Sequence, residues 1–441
     1  MPSPSAEFIA IGTELLRSGR VETNSIAIAR ELAALGVDLR FKTVVGDRRA
    51  DLMDAVRVGT ARAQVVILTG GLGPTCDDVT REAIAALARR PLRRHPVALA
   101  GMRERLAAWG RTPSKAQLRQ ALIPRGADVL SNPIGSAPGF CLVWRGCLLV
   151  ALPGVPHEAT QMMATEVVPR LKARFREASC HPIASRSLHT FGLPESEVEA
   201  RLDVVVPRGA GLTLGLLASP RGVTVTYTVE PRPKNAGRTR REKDDHRLDR
   251  VVDTVRERLG VLLYAEGPDS MEQVVGRLLK AQGLTLAVAE SCTGGLIGHR
   301  LTDVPGSSEY LDRVVVCYSN RSKTELLGVP EELFLRHGAV SLEVAAAMAA
   351  AVRSRSGADV GVSVTGIAGP GGGTDQKPVG LVYVGLDALP TRAGQAGRAV
   401  DRFAKEFRFH GQRDVIKLRA SQAALDLLRR WLLGAEPFQN R

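Results

Sequence analysis

Ser291, Cys292 and Thr293 follow the apolar run Leu284–Ala289 and precede Gly294-Gly295, after which Leu296, Ile297 and Leu301 recur at helical spacing. A short buried strand that ends in a hydroxyl- and thiol-bearing turn and restarts as a helix suits a nucleophile. Backbone N–H groups and the helix N-terminus would then face an anion. The same residues also suit a helix cap with glycines for a tight turn. A serine hydroxyl needs a base to act. His299 lies two turns into the helix and points elsewhere, so Lys323, which follows Tyr318-Ser319-Asn320 at a polar strand end, is the better candidate. A lysine fills that role once its pKa is brought down from about 10.4 toward neutrality, by burial or a neighbouring cation. On a surface it is only a solvated charge. Tyr318 is placed to relay a proton or to hold the lysine. Thr365-Gly366 and the glycines through Gly373, including Gly369, follow the strand Asp359–Val364. So many glycines in one loop imply close backbone approach to a ligand, most readily a phosphate. The chemistry is that of a hydrolase acting on a small phosphorylated molecule.

A second glycine loop, Thr69-Gly70-Gly71-Leu72-Gly73-Pro74-Thr75-Cys76-Asp77-Asp78, leaves the buried strand Val65–Leu68 and enters a helix carrying Val79, Ala83 and Leu87. In open parallel sheets ligands sit beyond the carboxyl ends of the strands. Glu14, past the strand Phe8–Ile11, leaves such an end too, as does Pro153-Gly154 after the strand Cys147–Ala151. Gly70, Gly71, Gly73, Glu14, Pro153 and Gly154 are therefore expected to hold phosphate, with Asp77 and Asp78 on a divalent metal. The plainer reading makes Asp78 a helix cap and the glycines turn residues. His157 beside Glu158 reads as a helix-start pair.

The elements that carry these loops follow from periodicity. Apolar strands at 8–11, 37–45 and 65–68 alternate with helices marked by Ile28, Leu32 and Leu35 and by Leu52, Val56 and Gly59, which predicts βαβαβ and a parallel sheet covered on both faces. A smaller α+β pattern follows between about 187 and 259, compatible with a KH-like module. Arg208-Gly209-Ala210-Gly211 lacks the GXXG spacing of an RNA clamp, so a spacer or hinge is expected there. Near Asp269 a third pattern begins. Ser270 and Gln273 have capping-box spacing, strands are expected at 284–289, 314–317, 359–364 and 379–386, and helices at 342–352 and about 413–433.

The length, 441 residues, implies two or three domains, and 44% apolar with 24% charged residues is ordinary for a globular protein. The opening residues lack a signal-peptide pattern and no apolar run is long enough to cross a membrane. Six cysteines without a CxxC pair fit a reducing cytoplasm and argue against a thiolate zinc site. The net charge of +14 admits nucleic acid or phosphorylated ligands. Its basic residues are spread along the chain and aromatics are only 4%, so stacking platforms for bases are scarce and nucleic acid ranks second.

AESCTGG at 289–295, Tyr318-Ser319-Asn320 with Lys323, VTGIAGPGGG at 364–373, and Gly411-Gln412-Arg413-Asp414 resemble the C-terminal domain of the CinA family. IGTELL, TGGLGPTCDD, NPIGSAPGF and LPGVPHE resemble that family's MoaB/MogA-like N-terminal domain, and the middle segment its KH-like insert. The resemblance implies three α/β or α+β domains, at 1–175, 180–262 and 268–436. It implies hydrolysis of nicotinamide mononucleotide to nicotinate mononucleotide and ammonia, without a metal. Ser291 would be the nucleophile, Lys323 the base and Tyr318 an assistant. Cys292, Thr293, Gly294, Thr365, Gly366, Gly369 and Arg413 would hold substrate, Arg413 at its phosphate. For the N-terminal domain it implies cleavage of ADP-ribose with a divalent metal and potassium, on Thr75, Asp77 and Asp78. The family usually places an asparagine a few residues before Gln-Ala-x-x-Pro, and 115–120 offers none. A cytoplasmic homodimer is implied as well. The alternative is a non-catalytic binding protein linked to competence or DNA damage.

Overall fold

A computed structural model of the chain describes residues 4–175, 184–203, 211–229, 238–389 and 401–435. The expected loop at 208–210 and the polar run at 231–237 lie outside them. The chain divides into two compact units, residues 1–184 with 229–245 and residues 185–228 with 246–441.

In the first unit β1 (Ser5–Ile11), β2 (Asp38–Val45) and β3 (Val65–Thr69) lie parallel, connected through helices α1 (Asn24–Ala34) and α2 (Arg49–Arg62). After α3 (Thr80–Leu87) and α4 (Pro96–Ala108) come β4 (Asp128–Leu130), β5 (Gly139–Trp144) and β6 (Cys147–Leu152). The strand order is β2-β1-β3-β6-β5-β4, with β6 parallel to β3 and the last two strands antiparallel. The apolar runs are continuous because both faces are covered. Val66 and Leu68 enter one core with Leu52 and Ile84, while Val65 and Ile67 enter the other with Ile28 and Leu32.

The second unit holds two sheets. A small antiparallel sheet comprises β7 (Ser185–Thr190), β8 (Leu212–Ser219), β9 (Gly222–Val229) and β10 (Leu263–Glu266) in the order β8-β9-β7-β10, with α5 (Glu195–Leu202) and, from His246 onward, α6 (Arg238–Leu259). The larger sheet is reached through α7 (Met271–Gln282). It contains β11 (Leu286–Glu290), followed by α8 (Leu296–Thr302), and then β12 (Leu311–Val316). Beyond α9 (Leu342–Ser356) come β13 (Val360–Gly366), β14 (Leu381–Ala388), β15 (Asp401–Arg408) and α10 (Arg413–Leu432). Its order is β12-β11-β13-β14-β15, parallel at β12, β11 and β13 and antiparallel beyond. Ala287 and Ala289 face Met348 and Val352 of α9, whereas Leu286 and Val288 share a core with Leu425 and Leu428 of α10. The capping box at Ser270 forms, with both reciprocal hydrogen bonds present. Among the described residues no helix is long and apolar enough to cross a membrane.

Candidate active site

β11 and β13 are neighbours in the sheet, so the Ser291 turn and the Thr365 loop leave it side by side, and Ser291 N donates to Val364 O at 3.0 Å. Ser291 is 7% exposed. Lys323 starts a single π-helical turn, Lys323–Leu327, just beyond the end of β12. Its amine lies 3.1 Å from Ser291 Oγ and 3.1 Å from the backbone carbonyl of Tyr318, and the residue is 1% exposed. No carboxylate pairs with it among the described residues. Burial pushes its pKa down, with the Cys317 and Cys292 thiols opposing that shift. A neutral amine has two donors and one lone pair. Tyr318 O can only accept, which leaves the lone pair for the serine hydroxyl, the arrangement a base requires.

The Tyr318 phenol does not reach this pair. Its side chain is 59% exposed and its OH accepts from Arg413 Nη2 at 2.9 Å, while Arg413 Nη1 donates to Gly369 O at 2.6 Å. Tyr318 thus holds Lys323 by its carbonyl and Arg413 by its hydroxyl. Thr365 Oγ1 donates to Ala339 O at 2.8 Å, and Gly366 packs against β14, where a Cβ would come within 2.7 Å of Val382. Cys292 is buried, and desolvation pushes its thiol up to about 12. Thr293 is fully buried and its hydroxyl has no partner among the described residues.

The expectation that the helix after the turn offers its N-terminus to an anion is corrected. Glu290, the last residue of β11 and fully buried, accepts from Gly295 N at 3.0 Å, Ile297 N at 3.2 Å and Gly298 N at 2.8 Å. A carboxylate of the chain itself occupies the positive end of α8. Next to the hydroxyl, the Thr293 N–H donates to nothing among the described residues, and the Cys292 N–H meets only its own thiol.

In the first unit a cavity of about 520 Å³ opens beyond the carboxyl ends of the strands. Glu14, Gly70, Gly71, Gly73, Pro153, Gly154, Asp77 and Asp78 all line it; Thr75 does not. Thr75 donates instead to Asp78 Oδ2 from its N–H at 2.8 Å and also from its hydroxyl. A hydrogen bond from Thr75 and one from its own backbone hold the exposed Asp77 carboxyl below its usual range. Gln120 and Ser136 line the cavity as well, and His157 does not. Among the described residues no group of three metal-ligating side chains exists. The donor set therefore does not fit an all-protein cage. It fits a magnesium-like ion, which binds through one or two carboxylates and completes its shell with water and phosphate oxygens.

Residues 268–432 match the family described as "CinA C-terminal domain", 7–173 that described as "Probable molybdopterin binding domain", and 185–265 "Damage-inducible protein CinA KH domain". A protein of Moorella thermoacetica, named for competence-damage induction, is 42% identical over 428 residues, spanning 97% of this chain and 98% of its own. The chain belongs to the CinA family. A CinA-like protein of Gloeobacter violaceus is 41% identical, over 99% of this chain and 98% of its own. The crystal structure of competence/damage inducible protein CihA from Agrobacterium tumefaciens, 41% identical, covers 36% of this chain and 94% of its own with a TM-score of 0.33.

Two further groups matter to this CinA site, and neither was read from the sequence. One is Glu290. The other is Lys417, one helical turn after Arg413 on α10, whose amine lies 3.6 Å from where a Cβ on Gly294 would stand. Lys417 has no hydrogen bond or ion pair among the described residues, whereas two of Arg413's nitrogens are already engaged. Spacing of i, i+4 from Arg413 was the signal that could have found it. Lys417→Ala is expected to raise KM for a phosphorylated substrate about tenfold with little change in kcat, because a charge-assisted contact to a non-reacting group is lost. Steady-state kinetics on the variant decide it.

Proposed function

We propose that the Ser291 site is an amidase acting on nicotinamide mononucleotide, releasing nicotinate mononucleotide and ammonia. The observation that carries this is the buried lysine amine 3.1 Å from a serine hydroxyl with no carboxylate to keep it charged. Ser291 Oγ attacks the carboxamide carbon as its proton passes to Lys323 Nζ. The tetrahedral oxyanion is met by the N–H groups of Cys292 and Thr293. Lys323 then returns the proton to the leaving nitrogen, ammonia departs, and an ester to Ser291 remains. Water, deprotonated by the same amine, resolves it. Arg413 and Lys417 bind the phosphate, and the exposed Tyr318 ring offers a stacking face for the pyridine.

Ammonia release from nicotinamide mononucleotide by the purified chain tests this directly, and it should persist in excess chelator. No release from folded protein overturns the reading. Because the reactive form of Lys323 is the neutral one, kcat/KM should rise with pH through a single deprotonation. The lowered pKa sets that rise below the range of a solvated lysine. A flat profile on either side of neutrality excludes the lysine base.

A second reading concerns the first unit, favoured by the glycine-lined cavity. It is cleavage of a diphosphate such as that of ADP-ribose, with potassium and a divalent ion held by Asp77 and Asp78. The ion supplies charge neutralisation at the phosphates, and the chain's own part is to bind and orient them. This activity, unlike ammonia release, should disappear with chelator. A DNA-binding role, suggested only by net charge and by relatives' names, predicts affinity that falls steeply with salt.

A further inference from the structure

The carbonyls of the loop Gly70–Gly73 are all turned away from the cavity by two consecutive residues. Gly70 O accepts from Thr80 Oγ1 at 2.8 Å and Gly71 O from Thr80 N at 3.2 Å. Leu72 O accepts from Arg81 Nη1 and Gly73 O from Arg81 Nη2, both at 2.7 Å. The N–H groups of Gly71, Leu72 and Gly73 donate to nothing among the described residues. A run of peptide units with every carbonyl engaged and successive N–H groups unspent is an anion-binding nest. Its shape tolerates no side chain. A Cβ on Gly71, at φ +65°, would stand 2.2 Å from Thr80 Oγ1, and one on Gly70 would stand 2.3 Å from Ile11 O.

Arg81 itself is the unexplained part. It is 1% exposed, it forms no ion pair among the described residues, and its Nε has no partner. Glu82, the neighbouring carboxylate, pairs with Arg119 at 3.1 Å instead. Burial lowers the Arg81 pKa, and the more distant charges of Glu82 and Asp78 only partly oppose this. A guanidinium nonetheless remains charged in a protein. Two carbonyls could be held by a neutral amide at far lower desolvation cost, so a buried charge placed here has a use beyond the hydrogen bonds.

Building on the second reading above, we infer that Arg81 is a positioning residue for a diphosphate bound on the Gly70–Gly73 loop. It clamps the loop's carbonyls inward and sets a fixed positive charge directly beneath the nest. The attraction is strong because the charge sits out of water, and it is present before the ligand arrives.

The test separates the charge from the donors, using inorganic pyrophosphate with magnesium as probe and calorimetry on the full chain. Arg81→Gln keeps two N–H donors and loses the charge. Arg81→Lys keeps the charge and loses the fork. Affinity should follow the charge, with Arg81→Lys close to the parent and Arg81→Gln weaker by about tenfold or more. Thermal stability should instead follow the carbonyl contacts. Equal affinity in the parent and Arg81→Gln overturns the inference, as does weakening in Arg81→Lys alone. Gly71→Ala is the control for the reading beneath it. If the parent binds pyrophosphate and Gly71→Ala does not, the nest stands whatever Arg81 does. A parent that binds none overturns both.

Discussion

Ser291→Ala should lower ammonia release by about 10⁴-fold or more, and Lys323→Met should cost nearly as much, with the double variant little worse than either. The two groups act as one unit, so removing either removes the step. Lys323→Arg is the sharper change. It keeps a cation in place but cannot give up its proton, so it too should be inactive. Activity surviving in Lys323→Arg would mean that charge, not basicity, is what the site uses. Cys292→Ala should be tolerated. Its thiol is pushed up to about 12 by burial, so almost none is thiolate at neutral pH, and among the described residues no side chain hydrogen-bonds to it. Loss in Cys292→Ala with Ser291→Ala active would reverse the assignment. A coupled ammonia assay, with circular dichroism to confirm folding, reads all five.

The largest effect on stability is expected at Glu290. Replacing it with alanine leaves two buried N–H groups and a partly buried one at the start of α8 without an acceptor. Hydrogen bonds to a charged group are worth about 1.5–3 kcal/mol each, and the losses overlap, so a cost of about 4 kcal/mol is expected. For a domain of this size that lowers Tm by roughly 10 °C. Glu290→Gln should fall between the two, since its amide still presents one acceptor but sets an N–H against another. Thermal unfolding of the three proteins decides it. An unchanged Tm in Glu290→Ala would mean that water replaces the carboxylate and that the turn is open to anions after all.

Much of this arrangement is readable from the chain. The sheet cores follow from uninterrupted apolar runs, and the Ser291 turn and both glycine loops from strand ends that meet small residues. What was not legible depends on where partners come from. β15 reads Asp401-Arg402-Phe403-Ala404-Lys405-Glu406-Phe407-Arg408, an edge strand with charges on both faces, so its alternation is weak. α4 carries Gly101 at its centre and only Ala98, Met102 and Leu106 buried, too thin a stripe to stand out. The part played by Glu290 is not legible because its three partners lie five to eight residues on, across a turn whose path the sequence does not give. Arg81 and Lys417 were two among 60 basic residues. Nothing local marks one as sunk beneath a loop and the other as standing over Gly294.

The cysteines divide between the two ends of the chain in a way that is useful at the bench. Cys76 lies exposed on the glycine loop between Thr75 and Asp77. Cys141, Cys147, Cys292 and Cys317 are buried, with thiols pushed up by desolvation, the first two to about 11. Among these five, a maleimide should therefore alkylate Cys76 first. The label would sit on the loop beside the glycine-lined cavity and leave the serine turn chemically silent. Bound pyrophosphate should slow that labelling, while nicotinamide mononucleotide should not, so one reagent can report occupancy of one end while the other keeps turning over.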